Sequence, residues 1–89
     1  MPTVRFTAHL QSKLRETEFP VRGESVREAL EEVFAKSPGL ASYVLDDQGG
    51  VRHHVAIFVN GESIVDRVTL SDGLDAEAEV FVMQALSGG

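Results

Sequence analysis

The chain has 89 residues and a formal net charge of −6, from 14 acidic and 8 basic side chains. That length makes one domain with a thin core, and apolar and charged fractions of 43% and 25% belong to a globular chain, not a disordered one. The lack of cysteine excludes disulfides, zinc–thiolate centres and a cysteine nucleophile and suits a reducing, cytoplasmic setting, while the acid excess disfavours nucleic acid as a partner. The same charge suits docking on a basic protein surface, or simply solubility. Met1-Pro2-Thr3-Val4-Arg5 leads into no long apolar stretch, which argues against a signal peptide. No apolar run is long enough for a membrane helix.

Val4, Phe6, Ala8 and Leu10 alternate with Arg5, Thr7, His9 and Gln11, the period-two pattern of a half-buried strand. A short polar link, residues 12–15, precedes Thr17, Phe19 and Val21, which alternate with Glu16, Glu18 and Arg22 and predict the second arm of a hairpin. Pro20 lacks an amide donor and so places that arm at a sheet edge or at an interruption. Ser25 and Glu28 form an S-x-x-E capping box, and Val26, Ala29, Leu30, Val33 and Phe34 make one apolar stripe of a helix. Glu32 and Lys36 have the favourable order for an ion pair one turn apart. Ser37-Pro38-Gly39 stops the helix.

Residues 40–45 predict a short helical turn, and Asp46-Asp47-Gln48-Gly49-Gly50 a loop. Residues 51–60 carry the strongest strand signal, and the unbroken run Val55-Ala56-Ile57-Phe58-Val59 predicts a central strand covered on both faces. Asn60-Gly61 is a tight-turn signal with a short strand expected after it at residues 62–65. Ser71-Asp72-Gly73 marks another turn, and Val80-Phe81-Val82-Met83 predicts the last strand. The order strand, strand, helix, strand, short strand, strand is that of an α+β domain. The arrangement expected is a β-grasp (ubiquitin-like) fold: a mixed sheet of four or five strands, first and last strands central, with one main helix packed on one face. Its domain is expected to span residues 1–84, with residues 85–89 as a flexible tail ending in Gly-Gly.

Side-chain chemistry is thinly supported. Of the histidines His9, His53 and His54, the adjacent His53 and His54 would point to opposite faces of a strand, and no nearby pair of carboxylates completes a ligand set, so no metal site is expected. No serine sits in a G-x-S-x-G setting, and Gly49-Gly50 has no Lys-Ser after it to make a phosphate loop. The distinctive feature is the end, Gly88-Gly89, which follows a buried-type strand. Glycine has no Cβ, so two in succession can thread a channel too narrow for side chains and present a carboxylate to chemistry supplied elsewhere. A frayed terminus is the plain alternative. If Ile57, Val59, Val80 and Val82 face the helix, then Phe58, Phe81 and Met83 face away. They form either an exposed apolar docking patch or a second small core under residues 40–50.

With these residues in hand, the chain resembles the MoaD/ThiS family of ubiquitin-like sulfur carriers. The likeness rests on the strand-strand-helix order over residues 4–34, on Val55-Ala56-Ile57-Phe58-Val59-Asn60-Gly61-Glu62, and on Glu79-Val80-Phe81-Val82-Met83-Gln84-Ala85-Leu86-Ser87-Gly88-Gly89. The V-N-x-E piece and the final Gly-Gly are its specific parts. The resemblance implies a carrier that is not itself an enzyme but the substrate or small subunit of partner enzymes. A ubiquitin-activating-like adenylyltransferase would use ATP to adenylate the Gly89 carboxylate, and sulfur would displace AMP to leave a thiocarboxylate. Gly88 would supply reach, and Phe58, Phe81, Met83 and Leu86 would contact the activating enzyme and a sulfur-accepting synthase subunit. No cofactor need bind the chain itself, since ATP belongs to the partner. The pathway implied is of the molybdopterin, cysteine or thiamine type. Leu74-Asp75-Ala76-Glu77-Ala78-Glu79-Val80 stands where many members have D-G-D-x-V, Gln84-Ala85 where proline is common, and residues 40–52 exceed the thiamine branch. Those differences lean towards the molybdopterin or cysteine branches, or towards an uncharacterised branch. Alternatives with the same end are a ubiquitin-like modifier conjugated through Gly89 to a lysine, and a non-catalytic binding module.

Overall fold

The expected strand alternation becomes real pairing in the structure, a computed structural model that describes residues 1–6 and 18–84. Strands β1 (Thr3–Phe6) and β2 (Glu18–Pro20) precede helix α1 (Val26–Lys36), a 3₁₀ turn (Pro38–Leu40) and the one-turn helix α2 (Ala41–Val44). Strands β3 (Val55–Val59), β4 (Glu62–Ser63) and β5 (Glu79–Gln84) complete the chain. The continuation of the first expected strand to Leu10, the link that follows and Thr17 lie outside the described residues, as does the tail at residues 85–89.

The five strands form one mixed sheet in the order β2-β1-β5-β3-β4. β5 is central, parallel to β1 and antiparallel to β3. β2 lies at one edge, as Pro20 requires, with Thr3 opposite Pro20 and Val4 opposite Phe19. Val4, Phe6, Phe19, Val55, Ile57, Val80 and Val82 point to one face and join Val26, Ala29, Leu30 and Val33 of α1 in the core. Phe6 and Phe19 meet edge-to-face with centroids 5.8 Å apart.

Helix α1 is closed at both ends. Ser25 Oγ accepts from the Glu28 amide at 3.2 Å, and the Glu28 carboxylate accepts from the Glu24 amide at 2.8 Å. The remaining first-turn amides are met from another segment, Val26 by the Asp72 carbonyl and Arg27 by the Leu70 carbonyl, at 2.9 and 3.0 Å. The Ser37 amide donates to the Val33 carbonyl at the other end. The expected Glu32–Lys36 pair does not form. The Glu32 carboxylate instead accepts from the amides of Arg22 and Gly23, as close as 2.7 Å, because the chain entering the helix crosses that face.

Two expectations are corrected by the layering. The apolar run in β3 is not covered on both faces: Val55 and Ile57 are buried, while the outward Phe58 is only half-buried. Nor do residues 40–50 roof a second core on that outer side, since Leu40, Val44 and Val51 join the single main core. β4 is shorter than expected because the amides of Val65 and Asp66 donate to the Asp72 carboxylate, at 3.0 and 2.8 Å, and not to a strand.

Candidate functional site

The outer face of the sheet and the exit of β5 hold the residues singled out from sequence. In the β3–β5 register Phe58 lies directly opposite Phe81, and Ala56 opposite Met83. Phe81 and Met83 retain 40% and 38% of their surface, next to the fully buried Val80 and Val82. A shallow groove runs over this patch, with Arg5, Asn60 and Glu79 along its border. Arg5 lies opposite Phe81 on one side and Glu18 on the other, and its guanidinium pairs with Glu18 at 3.2 Å and Glu79 at 3.4 Å. Both pairs are solvated and add little stability; they tie the Arg5 guanidinium to β2 on one side and to the start of β5 on the other.

Asn60 sets the position of the patch, a role that the turn signal alone did not reveal. It adopts φ 52° and Gly61 φ 87°, the backbone of a two-residue hairpin turn that suits Asn-Gly. Its amide donates to the Glu79 carbonyl, and its side-chain Oδ1 accepts from the Glu79 amide, both at 2.9 Å. The same residue therefore turns β3 into β4 and clamps the start of β5, which puts Phe58 and Phe81 in register.

A second polar centre went unrecognised in the sequence. The Asp66 carboxylate accepts from the amides of Val68, Thr69 and Ser71 and from the Thr69 and Ser71 hydroxyls. The Ser71 hydroxyl first, then the Thr69 hydroxyl and amide, hold this carboxyl well below the usual aspartate range. The D-x-x-T-x-S spacing from Asp66 to Ser71 was the available signal. The loop that it organises places Leu70 at φ 57° and buries its side chain, while Arg27 donates to the carbonyls of Thr69 and Gly49.

His53 and His54 do not diverge across a strand. They occupy a turn just before β3, and their rings meet edge-to-face with centroids 5.5 Å apart. Among the described residues no group of three or more His, Cys, Asp or Glu side chains is placed to hold a metal, and no helix is long and apolar enough to cross a membrane. Leu86, Gly88 and Gly89 lie outside the described residues. Gly89 is five residue steps beyond Gln84, a reach of at most about 18 Å.

A mixed sheet with one main helix against one face, and a central last strand leading to Gly-Gly, defines a β-grasp, ubiquitin-like protein. The ThiS family model matches residues 4–89, and the chain belongs to that family of ubiquitin-fold sulfur carriers, whose members are small carrier proteins and not catalysts. The fold is similar to SAMP1 from Haloferax volcanii, with 25% identity, TM-score 0.80 and coverage of 99% of this chain and 98% of that one. It is also similar to the Amycolatopsis orientalis BexX/CysO complex, with 17% identity, TM-score 0.85 and full coverage of both chains (100% and 100%). Mycobacterium tuberculosis CysO superposes with TM-score 0.82 at 18% identity, over 97% of this chain and 100% of that one. No curated protein matches the sequence.

Proposed function

We propose that this protein carries sulfur as a thiocarboxylate on Gly89. The observation that carries the reading is the family match, which runs to Gly89 on a chain whose central strand exits beside an exposed apolar patch. A carboxylate is a poor acceptor of nucleophiles at neutral pH. Attack of a Gly89 carboxylate oxygen on the α-phosphorus of ATP, in a partner adenylyltransferase, releases pyrophosphate and leaves an acyl-adenylate. Hydrosulfide then adds to the acyl carbon and AMP departs, leaving –C(=O)S⁻, a soft nucleophile for delivery to a sulfur-accepting synthase subunit. Gly88 and Gly89 supply a side-chain-free thread. Phe58, Phe81 and Met83, with Leu86, supply the apolar contact that holds the body while the tail is engaged. ATP is bound by the partner, and the carrier works in the cytoplasm. CysO bound to BexX shows a protein of this fold in complex with a partner. The Helicobacter pylori complex of molybdopterin-converting factor subunits, TM-score 0.64, is a second such complex. The acceptor pathway on this reading is of the molybdopterin or cysteine type.

Intact-protein mass spectrometry after incubation with ATP, an adenylyltransferase and sulfide tests this. A gain of about 16 Da, sulfur for oxygen, located at Gly89 is expected. A Gly89 that stays free and unchanged across a panel of adenylyltransferases would overturn it. The likeness to SAMP1, a small archaeal modifier protein, favours a second reading in which the activated Gly89 joins a lysine amine. That reading predicts target proteins heavier by the whole chain less one water, in place of the sulfur gain.

A further inference from the structure

Strand β4 is too short to cover the edge of β3. It sets Glu62 opposite Val59 and Ser63 opposite Phe58, and one more backbone bond follows, from the Ile64 amide to the Ile57 carbonyl at 3.0 Å. The chain then turns away, because the Asp72 carboxylate takes the amides of Val65 and Asp66. Carbonyls two residues apart on a strand face the same edge, so the Val55 carbonyl faces the edge that β4 has left. The Arg67 side chain stands in for the missing strand. Its Nη2 donates to the carbonyls of Val55 and Arg52 at 2.7 and 2.8 Å, and its main-chain carbonyl accepts from the Val51 amide at 2.8 Å. The two guanidinium bonds are charge-assisted, the stronger kind. Arg67 is itself held in place from both sides: Asp72 fixes the amides before it, and Asp66 accepts from the amides of Val68 and Thr69 after it.

Across β3 from this clamp lies the root of the tail. Val55 is the ladder partner of Gln84, the last described residue of β5. The Val55 amide donates to the Arg52 carbonyl at 2.9 Å and the Val55 carbonyl accepts from Arg67, so both groups are engaged away from β5. Ala56 and Met83 are then the last described hydrogen-bonded pair before the tail, and Met83 also belongs to the apolar patch. We infer that Arg67 is a positioning residue: it fixes the end of β3 against which β5 finishes, and so sets where Gly88-Gly89 leaves the body relative to the patch. The inference rests on the carrier reading and names what aims the tail. With the patch docked, a thread of five residue steps drawn out in a channel has no slack to absorb a shift at its root. A misplacement of about 1 Å at a reacting group can cost on the order of 100-fold in rate.

The test uses the adenylyltransferase that yields the Gly89 mass gain, with ATP–pyrophosphate exchange read at a temperature where every variant is folded. Arg67→Ala is expected to lower kcat about five-fold or more with KM for the carrier little changed, because the patch still docks while the carboxylate is misplaced. Arg67→Lys, which keeps donors on a stem of similar reach, is expected to recover most of the loss. Should Arg67→Ala not fold, Arg67→Gln takes its place. Amide hydrogen exchange of the carrier alone is the second readout: exchange at Ala56 and Met83 should quicken, and at Phe58 and Phe81, further along the same ladder, it should not. An unchanged kcat overturns the inference, and so does exchange that quickens equally along the whole ladder, which is plain loss of stability. Either result leaves the carrier reading intact as long as wild type gains the mass. Absence of mass gain and of exchange with wild type brings down the carrier reading and this inference with it.

Discussion

At the scale of single residues, the carboxylate and amide side chains bear most of the local order. Asp66 is an acceptor hub, and its depressed pKa fixes the sign of a pH effect. A carboxyl held lower in the folded than in the unfolded state stabilises the fold above its unfolded value, ordinarily 3.8, and that stabilisation is lost as pH falls through the folded value. Asp66→Asn replaces an acceptor by a donor that faces hydroxyl and amide donors. Its melting temperature is expected to fall below wild type at neutral pH, and the gap to close as pH drops from about 4 to the acid limit. Thermal scans across pH check this; a gap that is constant with pH would show that the hydrogen bonds, and not ionisation, carry the effect. Asn60 allows a finer separation. Asn60→Gly keeps the positive φ but loses the bond from Glu79, whereas Asn60→Ala loses both. The expected losses are about 1 kcal/mol for glycine and roughly 1–2 kcal/mol more for alanine, read from denaturant unfolding.

At the scale of elements, what could be read from the chain followed how local the controlling interaction was. Helix α1 was legible because its cap, its stripe and its stop lie within its own residues, Ser25 to Ser37. The fate of Glu32 was not, because the amides it receives belong to the connection from β2, and only the folded chain brings that connection across the helix. Close approach at that crossing makes Gly23 a further requirement: an added Cβ would lie 2.6 Å from Glu28 Cβ and 2.7 Å from the Ala29 amide nitrogen. Gly23→Ala is therefore expected to cost about 1–3 kcal/mol, more than an exposed helix site would, since the obstruction is backbone and cannot swing aside. Equilibrium denaturation measures it, and a neutral result would mean that the connection shifts freely from the helix. The strands show the same division. Alternation placed Val80 and Val82 inside and Phe81 and Met83 outside correctly, because the period of two is local. Whether an apolar outer face was roofed depended on where residues 40–51 fold, and they fold onto the helix side. The Gly-Gly pair by itself showed only a side-chain-free thread; on the proposed reading the chemistry done there is supplied by a partner, so no residue of this chain spells it out.

At the scale of the whole molecule, the two faces of one strand separate stability from recognition, and that separation can be measured. Val80 and Phe81 are neighbours in β5, the first wholly buried and the second 40% exposed. Val80→Ala removes two methyl groups from a core that this small domain cannot easily refill, and should cost about 2 kcal/mol while leaving the outer patch in place. Phe81→Ala loses the cross-strand contact with Phe58 and should cost no more than about 1 kcal/mol. Partner engagement should rank the other way. At a temperature where both variants are folded, Val80→Ala should gain sulfur at the wild-type rate, and Phe81→Ala should need a several-fold higher carrier concentration for the same rate. A Phe81→Ala protein that loads as wild type would relegate the apolar patch to an incidental surface. The tail would then have to hold the partner without it.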